Sequence, residues 1–169
     1  MTTATTAATQ VNRRGSLRAV FDQAARDRRA VLVAYLTFAD PDPATSIEVL
    51  AACAEAGAGV IELGVPFSDP SADGPSIQRA MERALDAGGS LAGALDAVAT
   101  LRGRGVTTPI VLFGYYNPIF VMGPEVFAAR GAEVGLDAVL TVDLPIDEIA
   151  ELAQPLAAKG IDVIPLVAP

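Results

Sequence analysis

The residues best suited to chemistry in this chain are carboxylates within one short stretch, residues 59–75. Glu62 interrupts an apolar run, and Asp69 and Asp73 follow it in a segment rich in Pro, Gly and Ser. Such a run predicts a buried strand that leads into a loop, with Glu62 on the strand and Asp73 beyond its end. An acid at a strand end with a second acid nearby is suited to general acid/base chemistry.

The alternation of side chains along this strand places Glu62 on a definite face. The odd-numbered residues 61–65 share one face, whereas Val60, Glu62 and Gly64 share the other. Because glycine has no side chain, we expect an open space beside Glu62. A carboxyl group desolvated there would have a pKa nearer to neutrality and could exchange protons with a ligand.

Less specific interpretations of these residues are also open. Glu62 could pair with an arginine, and Asp73 precedes Gly-Pro and fits the N-cap of the helix that should follow. Asp69 lies between Ser and Pro, where aspartate usually forms a turn. Tyr35 and Tyr115 could be core aromatics with a hydrated hydroxyl. The spacing alone therefore assigns none of these residues a role.

The composition excludes several classes of function. Histidine is absent and Lys159, the one lysine, precedes a glycine at a predicted helix end, so neither a metal site nor a Schiff base is expected. The net charge of −8 argues against a nucleic-acid surface, and no apolar run reaches the roughly 18 residues of a membrane span.

The single Cys53 fits a reducing compartment, and residues 1–15 are predicted to be a disordered tail, not a signal peptide. We therefore expect a cytoplasmic protein.

Apolar segments of strand length alternate with amphipathic segments of helical length along the chain. Strands are predicted at 30–37, 59–65, 109–114, 137–142 and 161–167. Helices are predicted at 16–29, 43–57, 75–87, 90–101 and 124–134, with another that contains Pro155 and ends at 159, and 115–118 is predicted to be a loop. The strands are nearly all apolar, and the first is expected to be buried on both faces, as in a parallel sheet covered by helices.

A doubly wound sheet and a barrel both fit this alternation. The polar residues favour the barrel, because Glu62, Asp73, Tyr115 and Asp143 all lie at or just past predicted strand ends. We therefore predict an α/β fold, a (β/α)8 TIM barrel of which the first five strands and their helices are present. It forms one partial TIM-barrel domain over residues 16–169.

The motifs around these acids resemble a known family. The runs IELGVPFSDP at 61–70, ADGP at 72–75 and VDLP at 142–145 are similar to those of the tryptophan synthase alpha chain, and the resemblance extends over 16–169. It implies a TIM-barrel lyase of tryptophan biosynthesis that cleaves indole-3-glycerol phosphate to indole and glyceraldehyde 3-phosphate. It also implies an α2β2 complex, in which indole passes to a beta chain that carries pyridoxal phosphate and condenses indole with serine.

The resemblance also implies roles for individual residues. Glu62 would be the acid/base group and Asp73 the partner of the indole N–H. The residues at substrate-lining positions are Tyr35, Phe113, Tyr115 and Val142, and those at beta-chain contact positions are Asp69, Pro70, Asn117 and Pro145. The retro-aldol cleavage needs no metal or Schiff base, because the protonated indole is itself the electron sink, so no cofactor is expected in this chain.

Two residues depart from the family pattern, and one site of the family is not found within the 169 residues. Ala39 stands where the family commonly has glycine, and Ser71 where it often has leucine. The glycine-rich loops that hold the substrate phosphate follow the last barrel strands in the family. We therefore expect weak or no activity of the 169-residue chain alone. The alternatives are a stand-alone indole-releasing lyase and a non-catalytic module that binds the beta chain.

Overall fold

The computed structural model describes residues 17–167, which form one parallel sheet with helices packed on it. The strands are β1 Val33–Thr37, β2 Val60–Gly64, β3 Ile110–Gly114, β4 Ala138–Thr141 and β5 Asp162–Pro165. The helices are α1 Leu17–Arg26, α2 Pro43–Glu55, α3 Pro75–Asp86, α4 Leu91–Gly103, α5 Tyr116–Met122, α6 Pro124–Val134 and α7 Ala150–Ala158. The predicted tail, residues 1–15, lies outside the described residues.

The sheet has the strand order and layering of a barrel. Its strands are hydrogen-bonded in chain order, β1-β2-β3-β4-β5, and every neighbouring pair is parallel. A doubly wound sheet would instead reverse its strand order and carry helices on both faces. The five strands are therefore those of a (β/α)8 barrel, as the sequence predicts.

Each face of the sheet has its own apolar cluster. On the outer face, strand residues such as Ile61 and Leu63 pack with helix residues that include Leu95 of α4 and Phe127 of α6. On the inner face, the buried residues are Val60, Val111, Ala138 and Leu140. Leu17 and Val20 of α1 pack against the inner cluster, and Val20 lies near Gly59, which precedes β2, so α1 closes the amino-terminal end of this face.

An ion pair ties α4 to the strands at the end opposite their carboxyl termini. The buried Arg102 guanidinium pairs with the buried Asp137 carboxylate, which also accepts the Ile110 N–H at 2.7 Å. The guanidinium also donates to backbone oxygens of Val106, Thr108 and Gly135, at 2.8, 2.8 and 3.0 Å. These contacts fix where β3 and β4 begin, so they align the two strands.

The prediction that the first strand is buried on both faces was wrong. β1 begins at Val33, which is 39% exposed, and Leu32 before it is 65% exposed. Within residues 17–167, β1 is hydrogen-bonded to β2 on one side only, so its apolar side chains are covered less than those of β2 and β3. Apolar composition alone does not distinguish an edge strand from a central one.

The predicted loop at 115–118 is instead the start of a helix. Tyr115 is the N-cap of α5, and Asn117 and Pro118 lie in the first turn. Proline is tolerated there because the first N–H groups of a helix have no partner within it. The presence of a proline therefore did not exclude a helix at this position.

The backbone conformation of Ala39 shows why glycine suits this position of the first βα loop. Its φ is +67°, in the left-handed region that favours glycine, and its side chain is fully buried. The Ala39 N–H donates to the Ser46 hydroxyl at 3.1 Å, which holds the loop against α2. Ser71, the other departure, is exposed in the loop after β2.

Candidate active site

Glu62 occupies the middle of β2 on the inner face of the sheet. In the register, Tyr35 of β1 and Val111 of β3 lie beside it. Its side chain is half-buried, and within residues 17–167 no hydrogen bond or ion pair reaches its carboxylate. Among the described residues, therefore, the alternative of a structural pair with arginine is wrong.

Burial changes the acidity of the Glu62 carboxyl group. Desolvation raises the pKa of the Glu62 carboxyl above its ordinary value. No cation lies close enough to reverse the shift among the described residues. The raised pKa favours a protonated carboxyl that can deliver a proton and then take one back.

The space beside Glu62 is not open as predicted, because the side chain of Tyr35 fills it. A Cβ atom built on Gly64 would lie only 2.3 Å from the Tyr35 hydroxyl oxygen. Gly64 therefore allows the phenol to lie across β2, where its hydroxyl is 3.4 Å from the Thr37 hydroxyl. The ring also meets Phe113 edge-on, with centroids 5.4 Å apart.

Two acids act on the Tyr35 phenol. Its pKa is raised, first by burial and then by the negative charges of Asp73 and Glu62, although the Thr37 hydrogen bond opposes the shift. Electrostatic effects from both acids at one hydroxyl mean that the strand acid and the loop acid converge on the same region. Joint action of Glu62 and Asp73 stays a prediction.

Asp73 is held by a tyrosine and does not cap the helix. The Tyr115 hydroxyl donates to Asp73 Oδ2 at 2.7 Å, whereas Gly74 occupies the N-cap of α3 and no side chain caps it. The alternative of a helix cap at Asp73 is therefore wrong. Burial, followed by the hydrogen bond to Asp73, raises the pKa of Tyr115 to about 12.

Two further residues position the loop after β2, and the sequence prediction missed both. Gln78 Nε2 donates to the backbone oxygen of Asp73 at 2.8 Å and to that of Pro70 at 3.3 Å. Phe67 stacks on the Tyr115 ring with centroids 4.8 Å apart. The signal for Gln78 was a long polar side chain in the first turn of a helix, which can reach back to the preceding loop.

The predicted substrate-lining residues fall into two groups. Phe113 and Val142 pack against the inner cluster, next to the face that carries Glu62 and Tyr35. Tyr115 differs, because it is only 4% exposed and its hydroxyl is directed to the loop. Three of the four residues thus lie on the inner face or its rim, and the fourth lies beneath the loop that carries Asp73.

The predicted beta-chain contact residues lie at the surface, on segments that follow strand ends. Asp69, Asn117 and Pro145 are exposed and Pro70 is half-buried. Asp69 and Pro70 line an open cleft of about 390 Å³, which is separate from the inner face. Large apolar side chains are exposed close to Asn117 and Pro145 in the chain, namely Phe120 at 57%, Val121 at 77% and Ile146 at 59%.

Neither a metal cluster nor a membrane span is found in the part of the chain that the structure describes. Among residues 17–167, no group of three or more His, Cys, Asp or Glu side chains could hold a metal ion. The helices of the same region are too short or too polar to cross a bilayer.

A parallel sheet in chain order, with Glu62 on the inner face of β2 and Asp73 in the loop that follows it, defines an α/β domain of the TIM-barrel class. A family model described as tryptophan synthase alpha chain matches residues 21–169. The chain belongs to the tryptophan synthase alpha chain family.

Individual relatives agree with this assignment. The tryptophan synthase alpha chains of Burkholderia mallei (strain ATCC 23344) and Burkholderia thailandensis are 51% and 50% identical over 149 residues, which are 88% of this chain and 55% of each relative. The chain thus spans about half the length of the curated relatives it matches.

Solved structures resemble the fold closely. The tryptophan synthase subunit alpha of Legionella pneumophila str. Paris superposes with a TM-score of 0.83 at 36% identity, over 86% of this chain and 56% of that one. The tryptophan synthase a2b2 complex of Pyrococcus furiosus gives 0.77 at 43% identity, over 82% of this chain and 58% of that one.

Proposed function

We propose that this chain contributes to a lyase that cleaves indole-3-glycerol phosphate to indole and glyceraldehyde 3-phosphate. The observation that carries the proposal is Glu62, a half-buried carboxyl on the inner face that no described residue pairs with. Membership of the tryptophan synthase alpha chain family supports the choice of substrate.

In the proposed reaction, Glu62 moves two protons in sequence. The protonated carboxyl delivers its proton to the ring carbon that bears the side chain, which leaves positive charge on the indole nitrogen. The resulting carboxylate removes the proton of the adjacent side-chain hydroxyl, and the carbon–carbon bond breaks. Its electron pair neutralises the ring, the hydroxyl carbon becomes the aldehyde, and Glu62 is protonated again. The raised pKa of Glu62 supports the first step.

Asp73 and the inner-face side chains orient the ring in this proposal. The Asp73 carboxylate accepts the indole N–H and stabilises the charge that develops on the nitrogen. Tyr35, Phe113 and Val142 provide an apolar and aromatic surface for the ring. The reaction needs no cofactor in this chain.

The partner in this proposal is a beta chain that carries pyridoxal phosphate. The contact residues would be Asp69, Pro70, Asn117 and Pro145, together with the exposed apolar side chains of Phe120, Val121 and Ile146. Phe120 and Val121 are adjacent in the chain and both exposed, and exposed apolar surface is typical of a protein interface. The resemblance to a chain of the a2b2 complex of Pyrococcus furiosus supports this partner.

The test is the release of glyceraldehyde 3-phosphate from indole-3-glycerol phosphate, measured with a tryptophan synthase beta chain added. We expect slow release by the chain, above the buffer rate, because the phosphate-binding loops are not found within its 169 residues. We expect Glu62→Gln to lower release to the buffer rate, with indole binding retained. Glu55→Gln, a change at an exposed glutamate of α2, is the matched control and keeps full activity. No release by the unchanged chain would contradict the function, and near-normal release by Glu62→Gln would contradict the role of Glu62.

A further inference from the structure

The Tyr115 hydroxyl joins the end of β3 to the loop after β2. It donates to Asp73 Oδ2 at 2.7 Å and accepts the Ala72 N–H at 2.9 Å. Because the amide hydrogen occupies an acceptor position, the hydroxyl's own hydrogen is directed to Asp73. Burial of Tyr115 and its stacking on Phe67 fix the ring that carries this hydroxyl.

The two oxygens of Asp73 are not equivalent as a result. Oδ2 is bonded to Tyr115, whereas Oδ1 accepts no hydrogen bond from residues 17–167. Asp73 as a whole is half-buried, so the residue is partly exposed to solvent. Gln78 also donates to the Asp73 backbone oxygen at 2.8 Å, so a second side chain holds the loop when the Tyr115 hydroxyl is removed.

We infer that Tyr115 is a positioning residue that directs Asp73 Oδ1 at the N–H of an indole ring. This inference rests on the proposed function, because it takes the ligand of Asp73 to be an indole. With Tyr115 fixed, the carboxylate presents one oxygen in one direction, and a ring that lacks an N–H leaves that oxygen unpaired. Tyr115 is therefore a determinant of selectivity for rings that donate a hydrogen bond.

Binding of indole and of 1-methylindole measures this selectivity without any need for catalysis. The chain contains no tryptophan, so the fluorescence of the added ring reports its own binding. We expect the chain to bind indole about tenfold more tightly than 1-methylindole, as for a hydrogen bond to a charged acceptor, and Tyr115→Phe to reduce this ratio towards one. Tyr116→Phe, which removes the neighbouring phenol hydroxyl, is the matched control and preserves the ratio.

Exchange of the Ala72 amide hydrogen, followed by NMR, tests the contact itself. Tyr115→Phe keeps the ring on Phe67 but removes the acceptor, so we expect exchange at Ala72 to become at least tenfold faster. A purely structural role would change this exchange without changing the ratio of the two affinities. Equal affinity for the two rings in the unchanged chain, or an unchanged ratio in Tyr115→Phe, would overturn the inference. Failure of the proposed function would appear instead as absent aldehyde release in the cleavage assay.

Discussion

At the scale of single residues, Glu62 combines burial with the absence of a countercharge among the described residues. Gly64 contributes indirectly, because only a residue without a side chain leaves room for the Tyr35 phenol beside the acid. Burying a carboxyl group without a cation is unfavourable for its charged form. The candidate site should therefore carry a cost in stability that depends on pH.

The first prediction concerns the free energy of unfolding of Glu62→Gln. Because burial raises the folded-state pKa of Glu62, its stabilising contribution is fully present below the unfolded pKa and is lost as pH rises through the folded pKa. We therefore expect the free energy of unfolding of Glu62→Gln, relative to that of the unchanged chain, to increase from about pH 4 to about pH 8. Urea denaturation at both pH values measures the difference between the two proteins. A difference that is constant with pH, or that favours the unchanged chain more at pH 8, would show that the carboxyl is not desolvated.

At the scale of secondary-structure elements, local sequence signals predicted those features that depend on adjacent residues. The bounds of α6, 124–134, agree with the prediction because proline at the start and glycine after the end mark both termini. Ser90 caps α4 as predicted, by accepting the Gly93 N–H. α5 was missed because its N-cap is Tyr115, which is not a typical capping residue and makes no side-chain hydrogen bond to the helix.

The site shows the same limit of sequence reasoning. Glu62 could be placed on its face because strand alternation is strictly local. The bond from Tyr115 to Asp73 spans 42 positions, so no local pattern indicates it. The phenol of Tyr35 over Gly64 likewise depends on how β1 and β2 are paired. Residue types and spacing thus indicated the acids, whereas their partners required the fold.

The second prediction concerns the cap of α4. Ser90 Oγ accepts the Gly93 N–H at 3.1 Å, and α4 contributes several fully buried side chains to the outer core. We expect Ser90→Ala to lower the free energy of unfolding by about 1 kcal/mol. Ser90→Thr retains a capping hydroxyl and is the control. Equal losses in the two variants, measured by urea denaturation, would show that the hydroxyl does not stabilise the helix.

At the scale of the whole molecule, the two ends of the sheet differ in character. The amino ends of the strands carry the Arg102–Asp137 pair. They are also close to α1, because Val20 lies near Gly59, the residue that precedes β2. The carboxyl ends carry the loop acids, the exposed apolar side chains of α5 and the proposed partner contacts. In barrels, this division separates residues that stabilise the fold from residues that bind ligands.

The third prediction tests the proposed partner surface. Val121 is 77% exposed on α5, near the carboxyl ends of the strands, and Phe21 is 50% exposed on α1. We expect Val121→Asp to weaken binding to a tryptophan synthase beta chain at least tenfold, because a charge would be buried in an apolar contact. Phe21→Asp introduces the same charge at the other end and should have no effect. Isothermal titration calorimetry measures both affinities, and equal weakening by the two changes would exclude a contact at α5.

The proposed proton exchange between Glu62 and the ring carbon of indole can be followed as deuterium exchange at that carbon. Indole is incubated with the chain in D2O, and the signal of its C3 hydrogen is followed by NMR. We predict that the chain accelerates loss of this signal and that Glu62→Gln returns it to the buffer rate. Equal acceleration by the chain and by Glu62→Gln, or no acceleration by either, would show that Glu62 does not exchange a proton with this carbon.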